Sequence, residues 1–213
     1  MGYKFLELAT TPAVKAAQAA NGSATVYDRF TGHRDFVQFT PAELEFIAER
    51  DSFYMATVSE TGWPYVQHRG GPPGFLRALD DRTLACADFR GNRQYISVGN
   101  LTANDRASLF LMDYPNRRRL KMYVHVEVRT AADDPKTLES IAMPGYPGKV
   151  ERALVFHLDA FDWNCPQHIT PRFTESELSE ALEPIRLRME KLEAENKRLQ
   201  YELQQASGVA RLP

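Results

Sequence analysis

The sequence predicts a mainly β protein with some helix (α+β): an antiparallel barrel of six or seven short strands, followed by one long C-terminal helix. Three observations carry that expectation. Strand-like segments joined by glycine- and aspartate-bearing turns fill the span from Ser52 to Asp162. Within it, Leu120 to Arg129 alternates apolar and polar residues, the period of a half-buried strand. From Leu178 to Leu203, apolar residues recur at alternating spacings of four and three. Strands linked by hairpins, with few helices between them, favour an antiparallel barrel over a doubly wound parallel sheet.

Residues 1–50 read as an N-terminal helical arm. Thr11-Pro12 precedes an alanine-rich helix, Ala13 to Ala20, which Asn21-Gly22 ends. Tyr27, Phe30, Phe36 and Phe39 then punctuate a polar stretch and are expected to lay their rings on the main body. Thr40-Pro41-Ala42-Glu43 opens a second helix, with Thr40 as cap and Glu43 completing a capping box.

The barrel domain is expected over residues 51–173. Phe53 to Ser59 and Pro64 to His68 flank the turn Glu60-Thr61-Gly62, and Phe75 to Leu79 and Thr83 to Ala87 flank Asp80-Asp81. Gly91-Asn92-Arg93-Gln94 opens a short helix, and Ala107 to Met112 follows it. In the next strand Leu120, Met122, Val124, Val126 and Val128 share one face. Pro135 to Ala142 reads as a surface helix, and Ala153 to Asp162 as the last strand.

Residues 174–206 read as a coiled-coil helix, and residues 207–213 as a tail. Leu178, Ile185, Leu192 and Leu199 fall at d, and Leu182, Met189, Asn196 and Leu203 at a. One asparagine at an a position fixes a parallel two-stranded register, so a homodimer is expected.

Composition narrows the function. A chain of 213 residues, 43% hydrophobic and 25% charged, supports one sizeable core plus an appendage. A formal charge of −2, with no basic block longer than Arg117-Arg118-Arg119, argues against nucleic-acid or membrane partners. No apolar run reaches bilayer length and no secretory signal opens the chain, so a cytoplasmic location is expected. Cys86 and Cys165 lack CxxC spacing, which suggests neither a disulfide framework nor a zinc site.

The stretch from Val66 to Leu101 carries the chemistry. A strand ending Gln67-His68-Arg69, a glycine-proline turn through Gly74, and Arg93 at the mouth of a helix suit a phosphate-bearing ligand, because guanidinium forks and exposed backbone N–H groups both complement an anion. Cys165, three residues from His168, reads either as a redox thiol or as a semi-buried cysteine in an interface loop, and the second is preferred. Cys86 reads as strand packing, and His125 and His157 as satisfied sheet residues.

The run SETGWPYVQHRGGPPGFLRALDDRTLACADFRGNRQYISVGNL resembles the pyridoxamine 5′-phosphate oxidase-related flavin-nucleotide-binding proteins, through RGGPPGF, DDRTL, GNR and a downstream GN pair. The likeness spans roughly Phe53 to Phe173. It implies a split β-barrel homodimer holding FMN at the subunit interface, and two-electron transfer to or from a small organic substrate. On that resemblance Arg69 and Arg93 match positions that hold the phosphate or ribityl chain. Asn92, Gln94 and Ser97 add neutral donors, Gln67 and His68 lie toward the flavin edge, and Asn100 caps or bridges to the phosphate side. In the segment Asp162 to Phe173, Trp163 and Arg172 match residues that reach the flavin from the other subunit, with Gln167 and His168 between them. The arginine–leucine–histidine–aspartate ending that grips the pyridoxal substrate is absent, so FMN binding transfers more safely than pyridoxamine phosphate oxidation. A non-catalytic flavin-binding or redox-sensing dimer, or the same barrel holding a deazaflavin or haem, are the alternatives. The catalytic residues are not identified, with His68, His168 and Tyr95 the candidate acids or bases.

Overall fold

The computed structural model describes residues 3–28, 36–163 and 165–209, so Phe30 of the aromatic arm and Asn164 lie outside the described residues. The chain divides into two compact units, Met1–Ile169 and Thr170–Pro213.

Seven strands form the first unit's sheet: β1 (Ser52–Val58), β2 (Pro64–Gly70), β3 (Arg77–Ala78), β4 (Thr83–Phe89), β5 (Arg106–Asp113), β6 (Arg118–Arg129) and β7 (Val150–Trp163). Every pairing is antiparallel, in the order β2-β1-β5-β6-β7-β4-β3. The sheet curls until its ends meet. Arg69 on β2 is ion-paired with Asp88 on β4, although four strands separate them in the hydrogen-bonding order. Phe53 on β1 packs edge-on to Phe156 on β7, ring centres 5.9 Å apart, and stacks against Phe75 at 5.7 Å. Side chains rather than backbone ladders bridge the opening, which makes this a split barrel.

The interior explains the pattern. Leu120, Met122, Val124 and Val126 are buried on β6 as the alternation requires, facing Met55, Leu109, Leu111 and Phe161. β4 and β7 are buried on both faces, one against the barrel core and one under α6 (Pro135–Ser140), where Ala85, Ala87, Ile141, Ala153 and Val155 form a second cluster. Strands covered on both sides read as continuous apolar runs, as Leu84 to Ala87 and Ala153 to Phe156 do.

Phe75 to Leu79 was expected as a strand, yet only Arg77–Ala78 pairs, because Phe75 and Leu76 are pulled into the core directly after Gly74, whose φ of +79° suits glycine. Gly71 is also required, since a Cβ there would sit 2.7 Å from the Phe75 ring. Among the described residues, three short helices precede α4 (Pro41–Ala48): α1 (Lys4–Ala9), α2 (Pro12–Ala20) and α3 (Ala24–Asp28). α1 had no sequence signal beyond its aromatics. Phe5 stacks on Tyr123 at 4.6 Å, and the Tyr3 hydroxyl donates to Asp162. Phe36 and Phe39 lie against Phe161 as the arm was expected to do.

α4 (Pro41–Ala48) carries the expected capping box: Glu43 Oε2 accepts from the Thr40 N–H at 3.0 Å and from its hydroxyl at 2.6 Å. α5 (Ile96–Ala103) links β4 to β5. The second unit contains α7 (Glu175–Val209), capped by Thr174, whose N–H and hydroxyl both donate to Glu177. Among the described residues, no helix is long and apolar enough to cross a membrane.

Candidate functional site

A polar cavity of about 180 Å³ opens where the split ends of the sheet approach each other. Its walls come from four places: Tyr65, Gln67 and Arg69 on β2; Asp88 and Phe89 on β4; the loop Gly91 to Tyr95 with the first turn of α5; and Glu151 and Arg152 at the start of β7.

Local structure explains why these side chains converge. On β2, alternation puts Gln67 and Arg69 on the cavity face and His68 on the other, where its ring meets Tyr54 edge-on at 5.6 Å. On β7 the ladder to β4 slips: Asp88 faces Arg152 but Phe89 faces Val150, leaving Glu151 as the extra residue of a β-bulge. Consecutive strand residues normally point to opposite faces, and the bulge lets Glu151 and Arg152 both line the cavity. Tyr95 precedes α5 in the left-handed region (φ 53°, ψ 23°) and makes no side-chain cap. The helix N-terminus, with its unpaired N–H groups, therefore opens on the cavity through Ile96, Ser97 and Val98.

Three guanidinium groups, Arg69, Arg93 and Arg152, line the space against two carboxylates. Asp88, only 5% exposed, sits between Arg69 and Arg152, whose Nε lies 2.7 Å from its Oδ2. Glu151 accepts from Arg90 Nε at 2.7 Å, Arg152 Nη2 at 2.7 Å and the Tyr95 hydroxyl at 3.1 Å, and the first of these bonds leads in holding its carboxyl below the usual range. The Arg152 guanidinium also lies 4.7 Å over the Tyr95 ring. Arg93, fully exposed, reaches the same tyrosine oxygen at 3.4 Å. The Nε atoms of Arg69 and Arg152 are buried without a hydrogen-bond acceptor; Arg152 Nε is near Asp88 but its N–H is not directed along a bond.

A match to the family model described as pyridoxamine 5′-phosphate oxidase covers residues 39–155, more than half of the chain. The chain belongs to the pyridoxamine 5′-phosphate oxidase family. No curated protein matches it. Among solved structures it is similar to a putative pyridoxamine 5′-phosphate oxidase from Lactobacillus delbrueckii: 18% identity over 59% of this chain and 93% of that one, TM-score 0.45. It is similar also to a pyridoxinephosphate oxidase family protein from Clostridium acetobutylicum, at 16% identity over 64% and 94%, TM-score 0.45. An FMN-binding protein from Syntrophomonas wolfei aligns at 16% identity over 70% and 97%, TM-score 0.37.

Of the residues expected from the sequence of this oxidase-family chain, Gln67, Arg69, Asn92, Arg93, Gln94 and Ser97 line one cavity. Ser97 Oγ donates to Gln67 Oε1 at 2.9 Å, tying α5 to β2. Asn100 does not line it: buried beneath α5, its amide donates to Thr57 Oγ1 at 3.0 Å. Trp163 stands at the opposite end of β7, roughly 40 Å along the strand from Glu151. There its indole N–H donates to Glu43 Oε1 at 2.7 Å and its ring meets Phe46 edge-on. Gln167 and His168 are exposed beyond it, and Arg172 belongs to the second unit. Cys165, expected to be semi-buried, is exposed, because it follows the end of β7 rather than packing on it. Sequence reading missed Asp88, Glu151 and Arg152, and named Tyr95, which lines the cavity, only as a candidate acid or base; the cluster Lys149 to Arg152 ahead of an apolar strand was the available signal for Glu151 and Arg152.

Proposed function

We propose that this cavity holds the phosphate and ribityl end of FMN, and that the protein is an FMN-dependent oxidoreductase acting on a small organic substrate. The observation that carries the reading is Arg69: a half-buried guanidinium held by Asp88, its Nε buried without an acceptor, beside a second such Nε on Arg152 and an uncapped helix N-terminus. A buried N–H without an acceptor is costly, and a phosphate oxygen offers the charge-assisted bond it lacks. The residues present fit the phosphorylated end of the cofactor.

Roles follow from placement. Arg69 and Arg152 grip the phosphate, oriented by Asp88. Arg93 closes over it from the exposed loop, Ser97 and the first α5 N–H groups add neutral donors, and Gln67 is fixed by Ser97 toward the ribityl chain. When bound, FMN supplies hydride or single-electron transfer, and the protein positions it and tunes its potential. At about 180 Å³ the cavity is smaller than the roughly 300 Å³ at which ligand sites begin, so one subunit holds only part of the cofactor. A second copy then completes the site as a homodimer, and Trp163, Gln167, His168 and Arg172, far along the chain from this cavity, would serve from that copy.

The test is FMN titration of flavin-free protein, followed by flavin fluorescence. Arg93→Ala should weaken binding far more than Arg117→Ala, by about 2 kcal/mol or roughly 30-fold for one lost charge-assisted bond. Equal affinities in the two variants would overturn the phosphate assignment.

A further inference from the structure

Within the second unit nothing covers the apolar stripe of α7. Ile185, Met189, Leu192, Leu199 and Leu203 are each between 46% and 68% exposed, and a groove beside Met189, Leu192 and Asn196 runs along them. An amphipathic helix left uncovered derives little stability from propensity alone, since most helical stability comes from packing the apolar face.

We propose that α7 from two copies of this chain winds into a parallel, in-register, two-stranded coiled coil through Ile185 to Leu203. The spacing of four and three places Ile185, Leu192 and Leu199 at d and Met189, Asn196 and Leu203 at a. Pro184 falls at c, on the outer surface, so its ring and missing N–H turn away from the seam.

Two features choose the partner and its direction. Parallel, in-register chains set Asn196 against Asn196, where each amide satisfies the other; in an antiparallel pair each would face an apolar d residue. Charge agrees: Arg188 at g meets Glu193 at e of the second chain, twice by symmetry, while Glu195 at g meets Gln200, and no like charges face each other across this stretch. Along each helix, Arg186 bridges Glu183 at 2.7 Å and Glu190 at 3.1 Å, and Arg198 reaches Glu202 at 3.6 Å, the i,i+3 and i,i+4 pairs that support a single helix. A second copy of this chain satisfies the stripe, the asparagine and the charges together.

The experiment uses the full chain with Cys165→Ser, leaving only Cys86, which is buried. Met189→Cys is placed at the seam and Leu187→Cys on the outer face as its control, and both are exposed to a mild thiol oxidant. Disulfide-linked dimer is expected as the main product for Met189→Cys and as a minor one for Leu187→Cys, with circular dichroism confirming that both retain their helix. Absence of cross-linking at Met189→Cys, or equal yields at the two positions, would overturn the proposal, and capture by the helix of another protein would appear as the first of these. The readout does not depend on flavin, so its failure would leave the cofactor reading standing.

Discussion

Arg69 and Asp88 are ion-paired across the split of the barrel, joining β2 to β4 although the strands are not neighbours in the sheet. The same carboxylate lies 2.7 Å from Arg152, so one buried anion positions two cations. Asp88 thus contributes both to closing the barrel and to the charge of the cavity.

Asp88→Asn is therefore expected to have opposite effects on stability and on anion binding. Breaking a buried pair leaves uncompensated charge and should cost about 3 kcal/mol of folding free energy. Inorganic phosphate should raise the urea midpoint of the variant more than that of the parent, because the anion replaces the lost carboxylate. A variant as stable as the parent and indifferent to phosphate would show that Asp88 does not organise the cavity.

Trp163 and Glu43 form the corresponding link at the far end of β7. Trp163→Phe keeps a ring against Phe46 but removes the donor to a carboxylate only 2% exposed. A loss of about 2 kcal/mol in denaturant unfolding is expected for the lost charge-assisted bond. A loss below a few tenths would mean that the Trp163–Glu43 bond contributes little to stability.

Cys86 gives a signed pH prediction. Burial pushes its thiol up to about 12, above the ordinary value of about 8.5. The folded state then keeps a proton that the unfolded state releases, so this group's contribution is present below pH 8.5 and is lost as pH rises toward 12. The decline should approach 1.4 kcal/mol per pH unit in that window. Comparing unfolding free energies at pH 8 and 10 for the parent and for Cys86→Ala tests it: the variant should lack this part of the slope, and identical slopes would contradict the assignment.

Much of the fold was legible in local pattern. β6 alternates because one face is core, and Thr40-Pro41-Ala42-Glu43 announces α4 because capping chemistry is local. α1 was not legible: its short helix is held by Phe5 on Tyr123 and Tyr3 on Asp162, partners more than a hundred residues away. The candidate site divides likewise. Arg69, Arg93 and Ser97 were visible as arginines and donors around a helix start. Asp88, Glu151 and Arg152 were hidden because their convergence needs barrel closure and a bulge, neither written in local spacing. Asn100 and His68 do not line this cavity for a simpler reason: one lies on the inner side of α5 and the other on the outer face of β2. Strand alternation alone would have separated His68 from Gln67 and Arg69.

FMN binding is tested most directly by the visible absorbance spectrum of freshly purified protein, with mass identification of whatever heating releases. Two flavin bands and released FMN are the predicted result. A colourless protein that also fails to bind added FMN would contradict the account.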